Sequence, residues 1–356
     1  MRLAEYVRGG QILTRNPVVI RARAPLRVSF AGGGTDVAPY PQTEGGLVLS
    51  ATINRFAYGS LWPRDDGRVR IESVDLGMAV DFALDEQPPF DGRLDLVKAA
   101  IRRVGQNGHG GRNGGYDLVL RSHAPPGSGL GSSSTMIVAL VGLLQEHHRL
   151  PFTEYDTAHL AHQIEREDLG IHGGLQDHYA ATFGGFNFIE FGDRVVVNPL
   201  RVRHSVINEL EINLLLCFTG VTRESANIIG DQTARLEDKQ EETLEGLRAQ
   251  KELAVAMKTA LLRGELDHFG ELLGEAWAHK KKLSPLISTP RIDEAYDLAV
   301  RNGARGGKVT GAGGGGYILF YCDFARKHRV TEALTRFGAV VTDVGFEREG
   351  LTTWRA

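Results

Sequence analysis

The stretch Ala124-Pro125-Pro126-Gly127-Ser128-Gly129-Leu130-Gly131-Ser132-Ser133-Ser134 alternates glycine with small and polar residues and ends in three serines. Glycine tolerates backbone dihedrals closed to other residues, so such a loop can wrap closely around a large anion. The serines stand where a helix should begin, and Thr135-Met136-Ile137-Val138-Ala139-Leu140 continues as a buried helix would. Free N–H groups and the positive dipole end of that helix offer a cradle for phosphate. Hydroxyls on the same turn can complete the shell of a magnesium ion bridging phosphates. On this reading Pro126, Gly127, Ser128, Gly129, Leu130, Gly131, Ser132, Ser133 and Ser134 form a nucleotide triphosphate site. A serine-capped buried helix with no ligand is the competing reading. No Gly-Lys-Ser or Gly-Lys-Thr follows the glycines, and the Gly-x-Gly-x-x-Gly dinucleotide spacing is missing.

Two carboxylates have the sequence context to serve such a site. Glu165 lies four residues after Ala161 and four before Leu169, on a helix stripe with apolar side chains. An inward carboxylate must be paired or bind a cation, so Glu165 either ligates magnesium with Ser133 or pairs with an arginine. Asp177 follows Gly173-Gly174 and precedes Ala180-Ala181, in the first turn of a short helix. The helix dipole favours its ionised form, as a proton acceptor requires, although a helix-capping aspartate would look the same.

The elements that must position these groups follow from periodicity and turn chemistry. Strands are expected at residues 19–24 and 26–30, the second running into Gly32-Gly33-Gly34, and again at 46–51 and 56–62. Asp65-Asp66-Gly67 followed by Val69-Arg70-Ile71-Glu72 predicts a hairpin. A helix over 94–104 leads through a Gly/Asn-rich loop at 105–115 to a strand at 116–120, which feeds the phosphate loop. A helix over 153–169 has Thr153 as its cap, and strands return at 185–191 and 195–197. Beyond residue 200 come a leucine-rich buried strand at 210–218 and a long polar helix at 231–263. Helices near 265–279 and 290–302 and strands at 317–321 and 339–341 close the chain. The expected division is an N-terminal extension at 1–18, a first domain at 19–200 and a second at 201–356.

With two further segments, the phosphate loop resembles the three motifs of the GHMP kinases, the family of galactokinase, homoserine kinase, mevalonate kinase and phosphomevalonate kinase. The first segment is Pro25-Leu26-Arg27-Val28-Ser29-Phe30-Ala31-Gly32-Gly33-Gly34-Thr35-Asp36, and the last is Lys308-Val309-Thr310-Gly311-Ala312-Gly313-Gly314-Gly315-Gly316-Tyr317. The resemblance implies an α+β GHMP kinase fold. Its N-terminal half is ribosomal-S5-domain-2-like, its C-terminal half is ferredoxin-like α/β, and the active site lies in the cleft between them. It also implies ATP as co-substrate with Mg2+ held by Ser133 and Glu165. Asp177 is then the proton acceptor, Arg27 stands beside it and the transferring phosphoryl group, and Gly313 and Gly314 pack against the nucleotide and acceptor site. Arginine stays protonated, so Arg27 orients and offsets charge and does not act as a base.

The resemblance extends to the acceptor. Galactokinases carry Gly-Glu-His-Thr-Asp where this chain has Gly32-Gly33-Gly34-Thr35-Asp36. The shared Thr35-Asp36 implies a sugar whose ring hydroxyls donate to Asp36, while the missing Glu-His pair argues against galactose. Residues 26–36, Gly174-Leu175-Gln176-Asp177 with Tyr179-Ala180-Ala181, and Gly220-Val221-Thr222-Arg223 are similar to the heptose 7-phosphate kinases of bacterial GDP-heptose synthesis. That likeness implies phosphorylation of the anomeric hydroxyl of D-glycero-D-manno-heptose 7-phosphate, with Gly33, Gly34, Thr35, Asp36, Gly174 and Gln176 at the substrate. A phosphorylated acceptor needs further cations, for which Arg223 and the Lys280-Lys281-Lys282 triplet with Lys308 are the candidates, Lys282 standing for the triplet. A solvated helix end is the alternative for the triplet. The alternatives for the whole chain are a fucokinase- or galactokinase-like sugar 1-kinase and a catalytically silent sugar or nucleotide sensor. The sensor reading is disfavoured because Ser132, Ser133, Glu165 and Asp177 all stand here.

Composition narrows the partners. The 356 residues are 42% hydrophobic with a net charge of −3, giving neither a nucleic-acid groove nor a polybasic membrane patch. Cys217 and Cys322 sit in apolar runs and read as buried thiols of a reducing compartment. No segment approaches the roughly 20 apolar residues of a membrane helix, and the start of the chain lacks a signal-peptide pattern. The expectation is a cytoplasmic enzyme that binds ATP and a phosphorylated sugar, without nucleic acid or membrane, for which a homodimer stays open.

Overall fold

The computed structural model describes residues 18–105, 114–222 and 225–356. The expected N-terminal extension up to residue 17, most of the Gly/Asn-rich loop and Arg223 lie outside the described residues.

Two sheets carry the molecule. The first has eight strands: β1 (Ile20–Ala31), β2 (Gly46–Pro63), β3 (Arg68–Ser73), β4 (Met78–Ala83), β5 (Tyr116–Ser122), β6 (Phe186–Phe191), β7 (Val196–Pro199) and β12 (Thr352–Arg355). Its main order is β12-β1-β2-β5-β3-β4, with β6 pairing β2 and β7. The second is a four-stranded sheet ordered β11 (Val340–Asp343), β8 (Leu214–Phe218), β10 (Tyr317–Cys322) and β9 (Ala304–Val309). The helices are α1 (Tyr40–Glu44), α2 (Asp95–Val104), α3 (Ser132–His148), α4 (Glu154–Gln163), α5 (Gln176–Phe183), α6 (His204–Asn213), α7 (Ser225–Glu237), α8 (Glu241–Arg263), α9 (Leu266–Lys281), α10 (Pro290–Arg301) and α11 (Phe324–Arg336). Among the described residues no helix is long and apolar enough to cross a membrane.

Burial explains how the sheets meet. Leu26, Val28 and Phe30 of β1 join Leu214, Leu216, Phe269, Leu273 and Leu319 in one core. Phe30 meets Phe269 edge-on at 5.2 Å between ring centroids, a geometry worth about 0.5–1.5 kcal/mol beyond area burial. The second half of β1 is therefore covered on both faces, and Arg27 and Ser29, which alternate with Leu26, Val28 and Phe30, are buried as well. α3 is buried along most of its length beneath the first sheet, as its run of aliphatic residues dictates.

Three expectations need correction. β3 does not hairpin with β2: β5 inserts between them, running parallel to β3, and the partner that β3 meets through a turn is β4. The leucine-rich strand begins only at Leu214, because residues 204–213 form α6. The long polar helix is two helices, α7 and α8, parted at residues 238–240, where Lys239 takes φ +53°. Thr153 does cap α4, through a capping box with Asp156.

Candidate active site

Three glycine segments converge on one point. Gly129 (φ +82°) and Gly311 (φ +65°) lie backbone to backbone, and a Cβ on Gly311 would stand 2.7 Å from Gly129 Cα. Both positions demand a residue without a side chain, for dihedral and for space. Tyr317 N donates to Ser128 O at 3.0 Å, and Arg27 N donates to Leu130 O at 3.2 Å, so the outer motifs are tied to the phosphate loop by main chain. At the start of α3, Gly131 is the N-cap with φ +77°, and no side chain caps the helix. The serines instead bond elsewhere: Ser128 and Ser132 hydroxyls meet at 3.0 Å, and those of Ser133 and Ser134 turn to Glu165. The first-turn N–H groups are thereby left for an anion.

A cavity of about 510 Å³ opens over this point. Arg27, only 3% exposed, reaches it from β1, whose register shifts between Pro25 and Arg27. Proline cannot donate to the ladder, and the resulting irregularity re-aims the strand. Arg27 Nε donates to Asp177 Oδ1 at 2.7 Å, and its Nη1 donates to Gly129 O at 2.6 Å. Asp177 stands in the first turn of α5, and a Cβ on Gly131 would be 3.2 Å from its Oδ2. The carboxylate therefore lies directly over the start of α3.

Glu165 sits in a π-helical turn, Ile164–Asp168, that continues α4. It is 1% exposed and accepts from Ser133, from Ser134 at 2.6 Å and from His178 Nε2 at 2.8 Å, with Arg166 at 3.3 Å. Burial alone would raise its pKa. The His178 hydrogen bond, the Arg166 charge and the Ser133 hydroxyl outweigh that and hold the carboxyl well below the ordinary range. Both readings of Glu165 thus have partners in place: an ion pair with Arg166, and a carboxylate beside the Ser133 hydroxyl.

The other half of the cavity is built on the first glycine segment. Asp36, buried, accepts from Gly34 N, Gln176 N and Gln176 Nε2, each at 3.1 Å. Its oxygens, expected to face a sugar directly, are thus largely occupied by protein donors. A Cβ on Gly174 would collide with that carboxylate, which accounts for the glycine. Gly33 and Gly34 line the cavity. Thr35 does not, because its hydroxyl bridges Gly32 O and Leu47 O as a structural staple. Ser128 and Leu130 are buried behind the phosphate loop, and Gly313 and Gly314 pack against the backbone of Ile287. Pro126, Gly127, Gly129, Gly131 and Ser132 to Ser134 all face the cavity. Lys282 does not: it pairs with Glu245 at 2.8 Å on the outer side of α9.

Residues that sequence reasoning missed are Ser29 and Arg166 on the cavity wall and His178 behind Glu165; of the lysine triplet it is Lys280, not Lys282, that lines the cavity. Lys280 is 4% exposed and donates to Gly311 O at 2.7 Å. Burial lowers its pKa to about 8, with the Asp36 charge opposing and Arg27 reinforcing the shift. A signal for it existed: Lys280 follows Ala276 by four residues and Trp277 by three, on the apolar stripe of α9 that Lys282 leaves.

Comparisons with known proteins give the family. The family model for the GHMP kinases N terminal domain matches residues 95–185, and that for GHMP kinases C terminal matches residues 257–340. The chain is 40% identical over 338 residues to the D-glycero-alpha-D-manno-heptose 7-phosphate kinase of Campylobacter jejuni, covering 94% of this chain and 99% of that one. A solved structure described as a D-glycero-D-manno-heptose 1-phosphate kinase from Bacteriodes thetaiotaomicron superposes with TM-score 0.80 at 37% identity, covering 95% and 99%. Lactococcus lactis galactokinase with galactose gives TM-score 0.76 at 22% identity over 94% and 95%, a likeness of fold. The chain belongs to the GHMP kinase family. Within that family it is an ATP-dependent sugar kinase.

Proposed function

We propose that this kinase transfers the γ-phosphoryl group of ATP to the anomeric hydroxyl of D-glycero-D-manno-heptose 7-phosphate, giving the 1,7-bisphosphate for GDP-heptose and capsular polysaccharide. The observation that carries the reading is the Asp177 carboxylate over the uncapped start of α3, with Arg27 paired to it. The name of the Campylobacter jejuni relative supports the acceptor.

Asp177 takes the proton of the attacking hydroxyl, while Arg27 holds that carboxylate in place and offsets charge on the phosphoryl group. The amides of residues 127–133 stabilise the equatorial oxygens. Ser133 and Glu165 suit Mg2+, which takes hard oxygen donors from one or two protein groups and leaves its other positions to water and phosphates. The Ser133 hydroxyl donates a hydrogen bond to Glu165 and keeps its oxygen lone pairs, so the pair fits a cation. When bound, that ion neutralises charge between the phosphates. The 7-phosphate is assigned to Arg223, whose neighbours Thr222 and Ser225 line the cavity. In this reading residues 19–200 supply the phosphate loop and the base, residues 201–356 apart from the closing segment that joins the first sheet cover the acceptor, and the enzyme works in the cytoplasm without nucleic acid or membrane.

The test is a coupled ADP-release assay with ATP and magnesium on heptose 7-phosphate, the free heptose, fucose and galactose. The phosphorylated heptose is expected to exceed the free sugars in kcat/KM by about tenfold or more, the scale of one charge-assisted contact. Arg223→Ala should raise the KM for that acceptor and leave the KM for ATP. Faster turnover of an unphosphorylated sugar, or an unchanged acceptor KM in Arg223→Ala, overturns the assignment.

A further inference from the structure

Besides Arg166 Nε next to Glu165, two buried polar atoms on the cavity wall find no partner among the described residues: Ser29 Oγ and Gln176 Oε1. Their residues are 2% and 7% exposed, and both line the acceptor half. Buried polar atoms in folded proteins are nearly always hydrogen-bonded, so a pair left open on one wall marks a place where a ligand completes them. Lys280 lines the same recess with one of its three N–H donors given to Gly311 O. All three side chains surround Gly33. From the place a Cβ would occupy there, Ser29 Oγ is 3.3 Å away, the Gln176 amide nitrogen 3.6 Å and Lys280 Nζ 3.7 Å.

The orientation of Gln176 is settled by its neighbour. An ionised carboxylate only accepts, so the amide must turn its NH2 to Asp36, and Nε2 stands 3.1 Å from both carboxylate oxygens. The carbonyl is then forced to the other side. The recess therefore offers a pure acceptor (Gln176 Oε1), a pure donor (Lys280) and a hydroxyl that can do either (Ser29). A phosphate or carboxylate would satisfy the lysine but repel the amide oxygen. A sugar hydroxyl, which both donates and accepts, satisfies the two together.

We propose that Ser29, Gln176 and Lys280 form the subsite that reads a ring hydroxyl of the acceptor, and that Asp36 is a positioning residue acting through the Gln176 amide. The inference rests on the cavity being the acceptor site of the sugar kinase, and it does not depend on which sugar is phosphorylated. The cations of the cleft then divide in role. Lys280 reads hydroxyl, and the phosphate of a phosphorylated sugar is held elsewhere.

The experiment measures acceptor KM, kcat and nucleotide affinity for Ser29→Ala, Lys280→Met and Asp36→Asn, using whichever sugar the wild-type enzyme turns over. A panel of monodeoxy analogues of that sugar is run alongside. Each variant is expected to raise acceptor KM by about tenfold, as loss of a hydrogen bond to a charged or buried group does, with nucleotide affinity within about twofold of wild type. One deoxy analogue should show no further loss in Ser29→Ala or Lys280→Met, because its missing hydroxyl is the one they contact. Asp36→Asn, which lets the amide turn over, should raise KM more than it lowers kcat, whereas a merely structural role would lower nucleotide affinity as well. Ser29→Ala removes one oxygen from a buried site and keeps the test open if Asp36→Asn does not fold. The proposal fails if acceptor KM is unchanged in Ser29→Ala and Lys280→Met. It fails equally if the loss in Lys280→Met appears only when the sugar carries its phosphate.

Discussion

At the scale of single residues, the Arg27–Asp177 pair concentrates the chemistry. Arg27 is committed on two sides, to Asp177 and to Gly129 O, so it fixes the carboxylate relative to the phosphate loop. Asp177→Asn keeps the size and loses the proton acceptor, and kcat is expected to fall by about 10²–10⁴ while the ATP KM stays near wild type. Steady-state ADP release checks it; an Asp177→Asn enzyme with more than about a tenth of wild-type kcat shows that the proton leaves by another route. The places of Asp177 and Glu165 were legible from a glycine break and an apolar stripe, but those marks fit a helix cap or an ion pair as well, and only the order of the family motifs pointed to roles for them. Lys280 could not be told apart from Lys281 and Lys282, since a run of identical charges reads as a solvated end until helix phase is considered. The role of Asp36 was legible only as a charge near a sugar. Its partner lies 140 residues away, and contacts at that separation leave no local trace.

At the scale of elements, the site depends on loops that touch main chain to main chain. Gly129 sits against Thr310 and Gly311, and Gly316 sits against Ser128 O, so each glycine protects a contact between segments far apart in sequence. Gly311→Ala places a methyl on Gly129 and strains a φ of +65°, a combination expected to cost on the order of 1–3 kcal/mol. Thermal unfolding should show the loss, and nucleotide binding should weaken with it. An alanine variant with unchanged melting temperature and nucleotide affinity would contradict this account of the loops. Strand existence was readable from alternation, but strand pairing was not: β5 lies between β2 and β3 even though Asp65-Asp66-Gly67 is good hairpin chemistry. Turn residues specify only that the chain reverses, and the parallel partner arrives from more than 40 residues on. The break between α7 and α8 escaped notice because its residues, Asp238-Lys239-Gln240, carry neither glycine nor proline.

For the whole molecule, pH tests how the core was assembled. Burial lowers the His162 pKa to about 3, with His178 and Arg166 reinforcing, and lowers that of His147 to about 4, with His148 reinforcing. Both rings are neutral in the folded state and take up protons on unfolding once the pH falls below about 6.5, their ordinary value. Unfolded chains then bind more protons than folded ones, so stability falls as pH drops from about 6.5 towards 4, by on the order of 1 kcal/mol per pH unit per histidine. Chemical denaturation at pH 7, 6 and 5 should show that slope, and His162→Phe should reduce it. A slope unaltered in the variant removes His162 from the explanation.

The segment from residue 345 onward has its own consequence. Gly345 O accepts from Asn54 N, Glu347 N donates to Thr52 O, Leu351 packs over Gly142 and β12 covers the edge of β1. Residues that follow the second sheet in the chain thus complete the first, whose other strands precede it, and β1 carries an open row of amides until they arrive. During synthesis the first lobe must wait, unfinished and adhesive, for the passage of more than 150 intervening residues, so a ribosome that stalls in the second lobe releases a nascent chain prone to pair with its neighbours.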